Sequence, residues 1–160
     1  MQLDVPLRPV LLDTNLFLLF VVGTADRSAI TKHNRLRAYS PEVFDLLLLL
    51  LEQTSEIVVT PNTAAETSNL LRQGVKDPLR RTLSVHFASL LEKMREDYVP
   101  SSIAAAHSTF VRLGLSDAAI AHLADGDMAI LTADLDLYLE AASSGRDAVN
   151  FNHVREEHGV

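Results

Sequence analysis

Asp13 stands in the middle of an otherwise apolar run, "VLLDTNLFLLF" over residues 10–20, where a buried strand passes into a buried helix. An ionised carboxylate in such surroundings is costly unless something pairs with it. Three further acids sit in comparable settings: Glu66 in "TPNTAAETSNL", Asp117 in "LGLSDAAIAHLA" and Asp134 in "AILTADLDLY". Glu66 is followed at i+3 and i+4 by Asn69 and Leu70, and Asp117 by Ile120 and Ala121, so neither has a cationic partner at helical spacing. Four carboxylates gathered in one low-dielectric pocket repel one another and raise each other's pKa. A divalent cation removes that conflict. An all-oxygen donor set selects a hard ion, Mg²⁺ or Mn²⁺, and no histidine accompanies the acids at the spacing zinc prefers.

The elements that must position these acids alternate between strand and helix. "RPVLLD" reads as a strand, followed by a helix ending near Gly23. Ser40-Pro41-Glu42 supplies a hydroxyl cap, a first-turn proline and an acid suited to the helix dipole, and starts a helix through "VFDLLLLLLEQ". That run falls far short of the roughly 20 residues of a membrane span, and burial between other elements is favoured over an oligomer face. "EIVVT" is the second strand, and Thr60-Pro61 caps a helix that stops at Gly74. Asp77-Pro78 opens a long helix to about Asp97, Ser101 opens another to Gly114, and Ser116 caps "DAAIAHLA". "DMAILTAD" and "DAVNF" are the remaining strands, with the helix "LDLYLEAASSG" between them. Strands that are apolar throughout and separated by helices belong to a parallel sheet covered on both faces. The expected fold is therefore a three-layer α/β/α sandwich with a central parallel sheet of four to five strands, in one domain over residues 1–160. Ligands of such sheets sit beyond the carboxyl ends of the strands, where strand order reverses. Asp13 and Asp134 occupy two such ends.

Composition limits the partners. The 160 residues, 48% hydrophobic and 22% charged, suit an ordinary globular domain, and the absence of cysteine removes disulfides, thiolate metal sites and a cysteine nucleophile. The acidic start "MQLDVPLRPVLLD" lacks the basic and uninterrupted apolar regions of a signal peptide, making a cytoplasmic location the default and giving no reason to expect a membrane. A net charge of −7 argues against a nucleic-acid partner. Against it stands the cluster "DRSAITKHNRLR", where Lys32, Arg35 and Arg37 (with Arg27) read either as a solvated helix face or as an RNA-steering patch. The six histidines are scattered and read as structural or solvated.

In order and local wording, "LLDTNLFL", "TPNTAAETSNL", "LGLSDAAIAHLA" and "AILTADLDLY" resemble the four acidic motifs of the PIN domain, over nearly the whole chain. The resemblance implies a metal-dependent nuclease, many such proteins being ribonuclease toxins of the VapC type restrained by a cognate antitoxin. It makes Asp13, Glu66, Asp117 and Asp134 the catalytic, metal-binding acids and Asp136 an auxiliary one. Asp13 would bridge the ions while the others complete the coordination and orient water, with no side-chain nucleophile required. Asn15 and Thr132 would hydrogen-bond the carboxylates from behind. Plainer alternatives are Asn15 as a helix cap, Thr132 as an ordinary strand residue, Asp136 as an N-terminal helix charge and Asp13 as a turn aspartate, while Ser116 is a cap in either account. The interval from Asp13 to Glu66 is wide for a compact toxin, which leaves an RNA-processing or defence effector equally open. A second subunit in a homodimer is an alternative source of basic surface. Two other classes remain: a PIN-like module that binds RNA or protein without cutting, and a phosphatase of the haloacid dehalogenase kind. The latter wants a second aspartate two residues after the first, where this chain has Asn15.

Overall fold

The structure, a computed structural model, describes residues 8–160. Most of the acidic N-terminal stretch read above as unlike a signal peptide, residues 1–7, lies outside the described residues. The chain runs β1 (Val10–Leu12), α1 (Thr14–Ala25), two 3₁₀ turns (Arg27–Lys32 and Asn34–Leu36), α2 (Pro41–Glu52), β2 (Ile57–Val59), α3 (Pro61–Leu71), α4 (Leu79–Lys93), β3 (Arg95–Glu96), α5 (Ser101–Ala106), α6 (Phe110–Leu113), α7 (Leu115–Ala124), β4 (Ala129–Thr132), α8 (Leu135–Ser143), β5 (Ala148–Asn150) and α9 (Phe151–His158). Five strands form one all-parallel sheet in the order β3-β2-β1-β4-β5. Strand order reverses at β1 and β4, and Leu12 is in register with Leu131.

The two-residue period of a strand sorts the core into two layers. Val10, Leu12, Val59 and Leu131 point to one face, where they meet α1, α2, α4 and Phe151 of α9. Leu11, Val58 and Ile130 point to the other, against Ile120 and Ala124 of α7 and Leu137 and Ala141 of α8. The result is the expected three-layer α/β/α sandwich. The leucine-rich α2 buries Val43, Phe44, Leu46, Leu47, Leu50 and Leu51, and leaves Leu49 exposed. Its close approach to α1 depends on Gly23, since a Cβ there would lie 2.3 Å from the Phe44 ring. Among the described residues no helix is long and apolar enough to cross a membrane.

The starts of α2 and α3 follow their sequence signals: Ser40 accepts from the Val43 amide and Thr60 from that of Thr63, each with proline in the first turn. Elsewhere the structure differs from the expectation. The helix expected to reach Asp97 ends at Lys93, and Arg95–Glu96 pairs with Val58–Val59 as a fifth strand. The helix expected from Ser101 to Gly114 breaks in two, because the His107 imidazole accepts the Thr109 amide and turns the chain. The basic segment is a pair of 3₁₀ turns instead of a helix face. The tail carrying His153 and His158 is helical, capped by the Asn150 side chain.

Candidate functional site

Residues from α1, α3, α7 and α8 meet over the carboxyl ends of β1 and β4, the point where strand order reverses. A cavity of about 200 Å³ there is lined by Asp13, Thr14, Asn15, Glu66, Leu70, Asp117 and Asp134. The four acids are unequally buried. Asp13 is 5% exposed, Asp117 is half-buried, and Glu66 and Asp134 are at the exposed rim. The uniform low-dielectric pocket expected from the sequence is therefore a graded one, deepest at Asp13.

Asp13 is held rigidly. Its Oδ1 accepts the Leu16 amide at 2.8 Å, making it the N-cap of α1. Its Oδ2 accepts the Ala133 amide at 2.8 Å and the buried Thr132 hydroxyl. Thr132 also accepts the Asp134 amide at 2.9 Å, so one hydroxyl ties the end of β4 to both acids. Burial pushes the Asp13 carboxyl up, the hydrogen bonds from Thr132, Leu16 and Ala133 pull against it, and Asp134 adds a like charge. Asp134 caps α8 through Oδ1, 3.0 Å from the Leu137 amide.

Glu66 reaches the rim from mid-α3, where two hydroxyls hold it: Thr14 donates to Oε2 at 2.9 Å and Ser116 to Oε1 at 2.6 Å. Ser116 is thus not the cap expected from the sequence. The chain turns at Gly114, whose φ of +90° places it in the region open to glycine, and α7 begins at Leu115 without a side-chain cap. Asp117 has no hydrogen-bond partner among the described residues. Burial, then the charges of Asp134, Asp13 and Glu66, push it from the ordinary 3.8 to about 7. A carboxyl poised there shares a pocket with three other acids and no cation.

The donor set fits a hard divalent ion in chemistry, since every polar side chain lining the cavity offers oxygen. Asp117, Oδ2 of Asp134 and the second lone pair of Asp13 Oδ1 remain open to one. As the side chains stand, however, no three acids or histidines among the described residues are grouped to hold an ion. The hydroxyls of Thr14 and Ser116 and the caps account for this, because they engage the oxygens of Glu66, Asp13 and Asp134. Each oxygen of Glu66 accepts one hydroxyl and keeps a second lone pair for an ion.

The remaining sequence candidates fall outside this frame. Asn15 lines the cavity but makes no hydrogen bond to the acids, and the cap it might have supplied is Asp13. Asp136, expected as an auxiliary ligand, is exposed in the first turn of α8 and pairs with Arg112 at 3.3 Å instead. Lys32, Arg35 and Arg37 are exposed but do not line the cavity. Their turns follow the end of α1 opposite Asp13, and 12 residues of helix span about 18 Å. Sequence reasoning missed Thr14 and Ser116 as the holders of Glu66. Each adjoins a motif acid in the chain, but only the fold reveals that both reach a third.

No family model and no curated protein matches the chain.

Proposed function

We propose that this chain is a metal-dependent endoribonuclease that hydrolyses RNA phosphodiester bonds with Mg²⁺ or Mn²⁺. The observation that carries this reading is the cavity at the switch point of the sheet, where Asp13, Glu66, Asp117 and Asp134 converge without a lysine or arginine. Acids that stabilise a fold are ordinarily paired; here burial, with the charges of the neighbouring acids, pushes Asp13 and Asp117 up, as at a site suited to a cation. Asp13, Glu66, Asp117 and Asp134 would hold the ion. When bound, a divalent ion lowers the pKa of water and neutralises charge on the leaving oxygen.

The chain's own residues do the rest. Thr132 and the Ala133 amide fix the Asp13 carboxylate, which lines the cavity. Asp117, which has no hydrogen-bond partner among the described residues, is free to hold the ion or to orient a water. Asp13 is a poor candidate for a nucleophile, being buried with both oxygens accepting hydrogen bonds, and this disfavours the haloacid phosphatase alternative. A second reading, an RNA- or protein-binding module that does not cut, draws support from the hydroxyl clamp on both oxygens of Glu66. A cognate antitoxin belongs to the proposal as a consequence of its toxin version; a cytoplasmic location and a homodimer that lends basic surface are further parts of it.

The two readings separate on incubating the purified protein with mixed RNAs in Mg²⁺, Mn²⁺ or EDTA. Fragmentation that requires the metal and stops with EDTA is expected. Binding without fragmentation in either metal would favour the non-cutting module.

A further inference from the structure

The four helices that supply the acids, α1, α3, α7 and α8, contain no lysine or arginine. A polyanionic substrate approaching them needs positive charge from elsewhere. Arg112, on α6, supplies one. It lies five residues before Asp117, across the Gly114 turn, and its guanidinium is 3.3 Å from Asp136 and 3.6 Å from Glu140, both on the helix that Asp134 caps. Its ion pairs therefore tie it to α8, beside the cavity although not among the residues that line it.

The grip on it is loose. Arg27 holds Asp45 in a two-pronged pair at 3.0 and 2.7 Å, and Arg95 holds Asp97 at 2.9 Å through both prongs. Arg112 meets its carboxylates at longer range, with 59% of its side chain exposed. The Arg112–Asp136 pair is exposed on both sides and contributes little to stability, so exchanging that carboxylate for a phosphate costs the fold little. The flat guanidinium fork matches two phosphate oxygens as well as it matches a carboxylate.

We propose that Arg112 is a substrate-binding residue of this site, parked on Asp136 and Glu140 in the free protein and transferred to an RNA backbone phosphate when substrate enters the cavity. The inference rests on the nuclease reading above, and it gives Asp136 a role opposite to that of a metal ligand: Asp136 competes with the substrate for Arg112.

The test combines cleavage kinetics with fluorescence anisotropy of a short labelled single-stranded RNA, the latter in an Asp13→Asn background with Mg²⁺ so that the probe stays intact. Arg112→Gln should raise KM and weaken RNA binding about 10-fold, leave kcat within about 2-fold, and lower the salt slope by about 0.7–1, one phosphate's worth. Arg112→Lys should restore the slope and part of the affinity. Asp136→Asn should tighten binding, because it frees the guanidinium. A merely structural Arg112–Asp136 link predicts the reverse for this variant, since breaking the link from either side would then weaken binding equally. Equal losses from both variants, or an unchanged salt slope in Arg112→Gln, overturn the proposal. So does a higher metal requirement in Asp136→Asn. If the wild type cuts no RNA in either metal, the nuclease reading fails, while anisotropy still decides whether Arg112 holds an RNA phosphate; absence of RNA binding overturns both.

Discussion

The two ends of the parallel sheet treat their acids in opposite ways. At the amino-terminal end the acids beside the starts of β2, β4 and β5 have cationic partners. Arg8 pairs with Asp147 and Asp127, Arg95 with Glu56, and Arg146 with Asp125 at 2.6 Å, while His107 stands 2.9 Å from the same carboxylate. Burial pushes Asp125 up, but the hydrogen bonds from Arg146 and His107 outweigh it and hold the carboxyl below the usual range. At the carboxyl end, Asp13 and Asp117 are both pushed up, and their neighbours are acids. One chain, under one set of solution conditions, thus neutralises acids where they are structural and leaves them exposed to each other where strand order reverses. That contrast is what carries the proposal that the carboxyl end is the working end.

The largest way to break the contrast is to remove charge at the working end. Asp13→Asn and Asp117→Asn should each reduce metal-dependent cleavage by more than the roughly 10–100-fold that loss of a supporting hydrogen bond costs. Thr132→Val, which keeps the shape and removes the hydroxyl shared by Asp13 and Asp134, should fall within that range, with Thr132→Ser recovering most of it. Asp125→Asn, at the other end, should leave kcat unchanged. Rates from the folded variants, checked by circular dichroism, decide this; full activity in Asp117→Asn would remove the site from the carboxyl end.

Stability should respond with opposite signs at the two ends. For Asp117 the folded pKa of about 7 exceeds the ordinary 3.8, so the native state holds the extra proton between these values. Its contribution is fully present below pH 3.8 and is lost as pH rises through about 7. For Asp125 the folded value is lowered, so its contribution is present above the ordinary aspartate range and is lost as pH falls through the folded value. Above neutrality and without metal, Asp117→Asn should therefore raise Tm, each kcal/mol of relieved repulsion being worth about 2–4 °C in a chain of this size. Asp125→Asn should lower Tm, because it strips a charged partner from Arg146, whose side chain is only 9% exposed. Asp117 is a cleaner probe than Asp13, whose amide replacement would also disturb the α1 cap and the bond from Ala133. Thermal unfolding of the two variants at several pH values measures both signs at once.

The smallest expected effect concerns the basic turns. Replacing Lys32, Arg35 and Arg37 with Ala should raise KM less than Arg112→Gln does and flatten its salt dependence, since these side chains act from beyond the far end of α1. A larger KM effect than that of Arg112 would relocate the RNA path.

Much of this arrangement was legible in the residues. The apolar triplets at β1 and β2 and the Ala-Ile-Leu run of β4 announced central strands, and the Ser40-Pro41 and Thr60-Pro61 signals gave two helix starts to the residue. The acids at the carboxyl ends of β1 and β4 followed from the parallel sheet alone. What escaped had no local signal. β3 is two exposed charged residues and exists only because the edge of β2 is there to pair with. The helix break at Thr109 depends on an imidazole accepting a backbone amide. Ser116 looks like a cap in sequence, yet its hydroxyl is drawn 50 residues back to Glu66. The pairing of Asp136 with Arg112 likewise joins residues 24 apart, which no spacing rule reaches.

The most direct test of the central claim is the melting temperature of the metal-free wild-type protein, about one pH unit above the Asp117 value, before and after adding Mn²⁺. An ion that binds only the folded carboxylate cluster stabilises it by about 2.7 kcal/mol at 100 times Kd. The account predicts a rise of several degrees in the wild type, a smaller rise from a higher starting point in Asp117→Asn, and a full rise in Asp125→Asn. A wild-type melting temperature that Mn²⁺ leaves unchanged would contradict it.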